Sequence, residues 1–407
     1  MQKTWRWFGE NDPVPLRWIR QMGVEGIVTA LHHVPNGEVW PVDEILKTKN
    51  LIESNGLQWS VVESLPVTEA IKTGISLREK HIENYKKSIR NLGNSGIRKV
   101  VYNFMPVLDW IRTDLHYLLP DGGISMLFDF PTFIAFDVFI LQRPDAEKDY
   151  PAELVDKART IAGRITPEES EKLAHNIIVV TQGFIDGVVD ASVANYKKAF
   201  LNHIERYRGI GKEELRQNLA YFLHEVVPVA EEVGVKLAIH PDDPPFPVLG
   251  LPRIISTTED LEWLGKAYPS PNNGIAFCAG SFSARHDNNL PEMFSRFADR
   301  IHFVHLRNTA FLRNGTFYES GHITGWVDMF ELVKAILTEQ ERRKNQGIPE
   351  YRIPMRPDHG IKLFNDFNLQ ANPGYPLVGR LKGLAEISGL EYGLLKAFFS
   401  EMKSPGS

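Results

Sequence analysis

Short apolar runs alternate with amphipathic stretches along most of the chain. Residues 26–32 (Gly-Ile-Val-Thr-Ala-Leu-His) are β-branched and apolar and bounded by Gly and Pro, the pattern of a buried strand. Residues 42–55 then set Ile45, Leu46, Leu51 and Ile52 at helical spacing and stop before Gly56, a residue suited to the left-handed turn that ends many helices. Residues 57–63 read as a second strand, 76–92 as a second helix followed by Gly93, and 99–103 as a third strand. Repeated strand-then-helix units imply a parallel sheet with right-handed crossovers. No Gly-x-Gly-x-x-Gly follows the first strand, so nothing supports a dinucleotide-binding fold.

The rhythm breaks over 125–141, rich in Phe, Ile and Asp, where a fourth strand is expected, and over 143–207, which reads as a helical insertion. Within it Thr166-Pro167-Glu168-Glu169 has the form of a capping box, and a further helix is expected over about 192–207. A long helix over 212–232 puts Leu215, Leu219, Phe222, Leu223 and Val226 on one face, with Pro228 expected to kink its last turn. The strand rhythm then returns at 235–240, 274–278, 301–305 and 351–355, with helices at 261–267, 290–297 and 326–340 between. Eight strands predict an α/β fold, a single (β/α)8 TIM barrel over 1–402 with a helical insertion at about 143–207 and a disordered tail at 403–407.

Composition narrows the class. The chain has 407 residues, 43% hydrophobic and 24% charged, enough for a large core without disulfides. One cysteine gives no secreted disulfide framework, and no apolar run is long enough to span a bilayer, so a cytoplasmic protein without a membrane partner is expected. A net charge of −5 argues against a nucleic-acid partner but leaves room for an anionic substrate beside a metal.

The chemistry gathers at strand ends. Cys278 closes the run Gly274-Ile275-Ala276-Phe277-Cys278, and a lone cysteine is more often a small core residue than a ligand. Three other apolar runs, however, also end in a metal-competent side chain: His240, His305 and Asp358. Consecutive units of a barrel bring their strand C-termini side by side, so four such ends would aim four donors at one mouth. His302 competes with His305, but on a strand they face opposite ways, and His305 lies nearer the strand's end. Asp242 and Asp243 are rival carboxylates, expected as turn residues or supports. The N, S, O donor set admits Zn, Fe or Mn. The loops that follow carry His322, His359 and Tyr375, and histidine and tyrosine both serve in proton transfer. Each also has a bland reading, His359 at a helix start and Tyr375 packed beside a Pro-Gly turn. Arg307 and Arg356, with Asn308, are candidates to bind a substrate carboxylate or its hydroxyls, the arginines equally for structural pairing.

Taken together, Trp5-Arg6-Trp7-Phe8-Gly9, the run at 26–33, His240-Pro241-Asp242-Asp243-Pro244-Pro245, the strand with Cys278, His302 to Asn308, Met355-Arg356-Pro357-Asp358-His359-Gly360 and Asn372-Pro373-Gly374-Tyr375 resemble the mannonate dehydratases of bacterial hexuronate breakdown over nearly the whole chain. The resemblance implies a xylose-isomerase-like barrel and dehydration of D-mannonate, an aldonate, to 2-dehydro-3-deoxy-D-gluconate with Mn2+ or Fe2+. It implies metal binding by His240, Cys278, His305 and Asp358 and proton transfer by His359 and Tyr375. A homo-oligomer is expected as well. Residues 321–326 form a less acidic loop than that likeness leads one to expect. Two rival readings are a sugar isomerase on the same barrel, whose sites usually carry more carboxylates and a second metal, and a non-catalytic, metal-stabilised sugar-binding barrel.

Overall fold

The computed structural model describes residues 1–182, 189, 195–313 and 315–399. Twelve strands are formed: β1 (Gln2–Arg6), β2 (Gly26–Thr29), β3 (Gln58–Glu63), β4 (Lys99–Tyr102), β5 (Asp114–Leu118), β6 (Ile124–Phe128), β7 (Lys236–Ile239), β8 (Asn273–Cys278), β9 (Ile301–His305), β10 (Thr309–Arg313), β11 (Thr316–Glu319) and β12 (Pro354–Arg356). Eight of them close a barrel in the order β1-β12-β9-β8-β7-β4-β3-β2, every neighbouring pair parallel. The other four make a separate antiparallel sheet, β10-β11-β6-β5. Among the described residues no helix is long and apolar enough to cross a membrane.

The eight-strand expectation holds, but two assignments change. The run 125–141 does contain a strand, β6, yet it belongs to the antiparallel sheet and not to the barrel. The eighth barrel strand is the N-terminal β1, which closes the ring by pairing Gln2 with Pro354 on one side and Thr4 with Gly26 on the other. Its sequence, Gln-Lys-Thr-Trp-Arg, hides it: one apolar residue among four polar ones has no strand-like hydrophobic period. Helices also begin earlier than the expected 143, at Phe130–Ala135, and continue through Ala152–Ala162, Pro167–His175 and Tyr196–Glu205. Thr166 caps the third of these reciprocally with Glu169, at 3.2 and 2.8 Å. The expected tail at 403–407 lies outside the described residues.

Period-two alternation makes the barrel interior a stack of layers. Val28, Val61, Val101, Ala238, Ala276 and Phe303 form one closed apolar layer. Two residues further along the same strands come Glu63, Asn103, His240, Cys278 and His305, at the C-terminal mouth. The additions to the barrel serve this mouth. β11 ends in Glu319, whose carbonyl accepts a hydrogen bond from Ser125 Oγ on β6 at 2.5 Å. Gln182, past the helical segment, fixes the loop over the mouth by accepting from Asp109 N (3.0 Å) and donating to the Trp110 carbonyl (2.8 Å).

Candidate active site

His240, Cys278 and His305 converge at the mouth. Cys278 and His305 are register partners on neighbouring strands, and the His240 and His305 rings lie 5.1 Å apart. One donor atom from each of the three lies within 4.8 Å of the others. Asp358 joins them: its Oδ2 is 3.8 Å from Cys278 Sγ and 3.7 Å from His305 Nδ1. Hydrogen bonding of His240 Nδ1 to the Pro241 carbonyl, at 2.7 Å, points the proton there and leaves Nε2 as the lone-pair nitrogen. Neither buried ring nitrogen of His305 has a well-directed hydrogen bond, although Nε2 lies 3.0 Å from Glu63 Oε1. A buried imidazole whose nitrogens lack well-directed hydrogen bonds has capacity left for another ligand. Two imidazoles, a thiolate and a carboxylate suit a divalent transition metal with positions left for water or substrate.

A web of opposite charges holds this cluster. Arg307 donates Nε to Asp358 Oδ2 (2.7 Å), NH1 to both Glu319 oxygens (2.8 and 2.9 Å), and NH2 to Asp243 and to Ser281 Oγ (3.1 Å). Those contacts use all five N–H groups of its guanidinium. Gly280 makes room for it, since a Cβ there would collide with the Arg307 side chain. Arg112 bridges Asp243 (2.8 Å) and Glu319 (2.5 Å) from the other side. Arg356 pairs with Glu63 at 3.0 Å and with Asp358. Burial alone would raise these carboxyls, but the guanidiniums outweigh it: Asp243 is held down at about 2 by Arg112 and Arg307, and Glu63, Glu319 and Asp358 are held well below the usual range. All four therefore stay ionised, and each is oriented by fixed cations.

The pocket beside the cluster is lined by Arg6, Trp110, His240, His359 and Tyr375 among others. His359 Nδ1 is 3.1 Å from Glu319 Oε1, its ring 5.1 Å from Trp110 and 5.2 Å, edge-on, from Tyr375. Burial pushes the Tyr375 phenol up to about 12 against the opposing pull of Arg356. The arrangement thus offers a carboxylate-oriented imidazole and a neutral phenol next to a metal-competent cluster.

The family of D-mannonate dehydratases (UxuA) matches this chain over residues 1–401. The chain belongs to the mannonate dehydratase family. A mannonate dehydratase from Marinomonas sp. is 48% identical over 395 residues, 97% of this chain and 99% of that protein. One from Chromohalobacter salexigens is 50% identical over 392 residues, 96% of this chain and 98% of that protein. The crystal structure of mannonate dehydratase from Streptococcus suis serotype 2 superposes with a TM-score of 0.76 at 35% identity, covering 100% of this chain and 96% of that one.

Within this mannonate dehydratase framework, the residues singled out from sequence divide into two groups. The structure brings His240, Cys278, His305, Asp358, Arg356, His359 and Tyr375 to one mouth. Arg307 also lines the pocket, but with every donor committed to protein it is a support for Asp358 and Glu319, not a grip on substrate. Asn308 and His322 are not at the pocket. The Asn308 amide is spent on its own loop, donating to the His322 and Val327 carbonyls (3.2 and 3.1 Å) and accepting from Val327 N (2.8 Å). His322 is buried against Gly383, which leaves space for its ring, and burial lowers its pKa to about 4. His302 faces away from the barrel axis, 2.8 Å from the Pro271 carbonyl. Three contributors escaped the sequence reading: Glu63, Arg112 and Glu319. Glu63 carried the usable signal, since it ends a predicted strand as the donors do. Nothing local marks Glu319 or Arg112, which arrive from the antiparallel sheet and the loop before it.

Proposed function

We propose that the protein removes water from D-mannonate to give 2-dehydro-3-deoxy-D-gluconate in hexuronate breakdown, with Mn2+ or Fe2+ held by His240, Cys278, His305 and Asp358. The observation that carries this reading is the convergence of His240, Cys278 and His305, with Asp358 beside Cys278 and His305, in a chain of the mannonate dehydratase family. When bound, the cation supplies Lewis acidity toward the substrate's carboxylate and C2 hydroxyl. The same proposal places the enzyme in the cytoplasm, where a lone thiol stays reduced.

The protein's own side chains carry the protons. His359 takes the C2 proton, because the Glu319 carboxylate at its Nδ1 fixes the ring and stabilises the imidazolium that forms. The electron pair of the C2–H bond becomes the C2–C3 double bond as the C3–O bond breaks. Tyr375 gives its phenolic proton to the departing hydroxyl, which leaves as water. The enol then tautomerises to the keto acid. Trp110 and the buried surroundings of His359 and Tyr375 limit bulk water at the reacting carbons.

Tyr375→Phe tests the assignment. Turnover of D-mannonate should fall by about 10²- to 10⁴-fold, the usual worth of a positioned acid, while metal content stays at the wild-type level. Unchanged turnover with metal still bound removes Tyr375 from the chemistry.

A further inference from the structure

We infer that a chamber on the far side of Tyr375 is the subsite for the distal, uncharged polyol end of the substrate, with His32 as its main polar contact; this rests on the dehydratase reading above. The cavity at the donor cluster measures about 60 Å³. A second chamber of about 320 Å³ adjoins it, and Ser64 and Tyr375 line both spaces. Its size reaches the lower end of small-molecule pockets, roughly 300–1,000 Å³. The direction of the bound chain follows from the chemistry. With the carboxylate and C2 at the donors and the C2–C3 bond between His359 and Tyr375, carbons C4 to C6 extend past Tyr375 into the chamber.

The walls match that end of the molecule. Phe8 packs edge-on against Tyr375 with ring centroids 4.9 Å apart and meets the His32 ring at 6.0 Å, so an apolar row runs from the reacting bond to His32. His32 is accessible to solvent and makes no hydrogen bond to protein among the described residues. Two charged groups of the chamber are tied in part to the surrounding chain. Asp12 accepts from Phe8 N and Val14 N, both at 2.8 Å. Arg380 donates to the Arg6 and Pro376 carbonyls and lies 3.9 Å over the Trp5 ring. Beside them stand neutral groups with open hydrogen-bonding capacity, His32 and the amides of Asn11, Asn36, Gln370 and Asn372. Neutral donors and acceptors fit hydroxyl groups.

The test compares D-mannonate with a four-carbon aldonate of the same configuration at C2 and C3, in the wild type and in His32→Ala. One lost hydrogen bond should lower kcat/KM for D-mannonate about tenfold, chiefly through KM, and leave the four-carbon acid within twofold. His32→Gln, which keeps a donor and an acceptor, should recover most of the loss. In the Tyr375→Phe background D-mannonate should raise the melting temperature more than the four-carbon acid does, and adding His32→Ala should erase that difference. An equal fall on both aldonates or no fall on D-mannonate overturns the inference while leaving the dehydratase reading standing. A wild type that neither converts D-mannonate nor is stabilised by it removes that reading itself.

Discussion

Adjacent layers of this barrel differ in chemistry although the same strands build them. Val28, Val61, Val101, Ala238, Ala276 and Phe303 interlock without a polar atom among their side chains. The next level up holds Glu63, His240, Cys278 and His305, with Arg356 and Asp358 beside them. The lower layer is stabilised by removing carbon from water and needs only volume and shape. The upper one is equally buried, yet each charge there requires a partner of opposite sign, because an unpaired buried ion costs several kcal/mol. The difference explains why the arginines are so heavily bonded: their work is to keep four carboxylates ionised and fixed where burial opposes their charge. Of these two layers, the lower serves packing and the upper chemistry.

Substitutions can break this division. The largest effect is expected for Cys278→Ala. Metal per chain should drop to near zero and turnover should fall more than about a hundredfold, beyond what loss of a supporting partner alone does. Metal analysis that finds wild-type stoichiometry would sink Cys278 as a ligand. Next comes Phe303→Ala in the lower layer, which should cost about 3–5 kcal/mol in urea unfolding while the folded fraction binds metal normally. A cost under about 1 kcal/mol would mean that the layer is loosely packed. Arg307→Met probes the supports. It leaves Asp243, Glu319 and Asp358 short of their shared cation, for about 3 kcal/mol of lost stability together with weakened metal binding. If stability holds and only KM for D-mannonate rises, Arg307 contacts substrate after all.

The smallest effect lies outside both layers. Burial raises the Asp129 carboxyl, but hydrogen bonds from Arg313 at 2.5 Å and from Thr132 outweigh it and leave the pKa lowered. A depressed carboxyl contributes stability that is present above the unfolded value of about 3.9 and is lost as pH falls through the folded value. Because Arg313 is exposed, Arg313→Gln should remove less than about 1 kcal/mol at neutral pH and flatten the acid limb of the stability profile below pH 4. An unchanged acid limb would show that Thr132 and Thr316 hold Asp129 without Arg313.

Much of this was open to reading before any coordinates. Seven of the eight barrel strands carry β-branched or apolar runs, and the end of a run is visible wherever a polar residue and a turn follow it. That rule picked out His240, Cys278, His305 and Asp358, and applied evenly it would have added Glu63. It failed at β1, where closure and not apolar content makes the strand. Thr4 Oγ1 donates to the Met355 carbonyl at 2.8 Å, so partners far away in the sequence supply what the local pattern lacks. It failed again at β6, whose apolar composition cannot tell a barrel strand from one in a small antiparallel sheet.

What the sequence determined by itself is the alternation: which residues face inward, and which inward residues stand last on their strands. That follows from the two-residue period of an extended chain and needs no partner. Only the tertiary structure decided that three carboxylates share Arg307, that Glu319 comes off a separate sheet to orient His359, and that Asn308 spends its amide on its own loop. Those relations depend on how far strands curve and where loops land, distances set by the closed barrel as a whole and by no local run of residues.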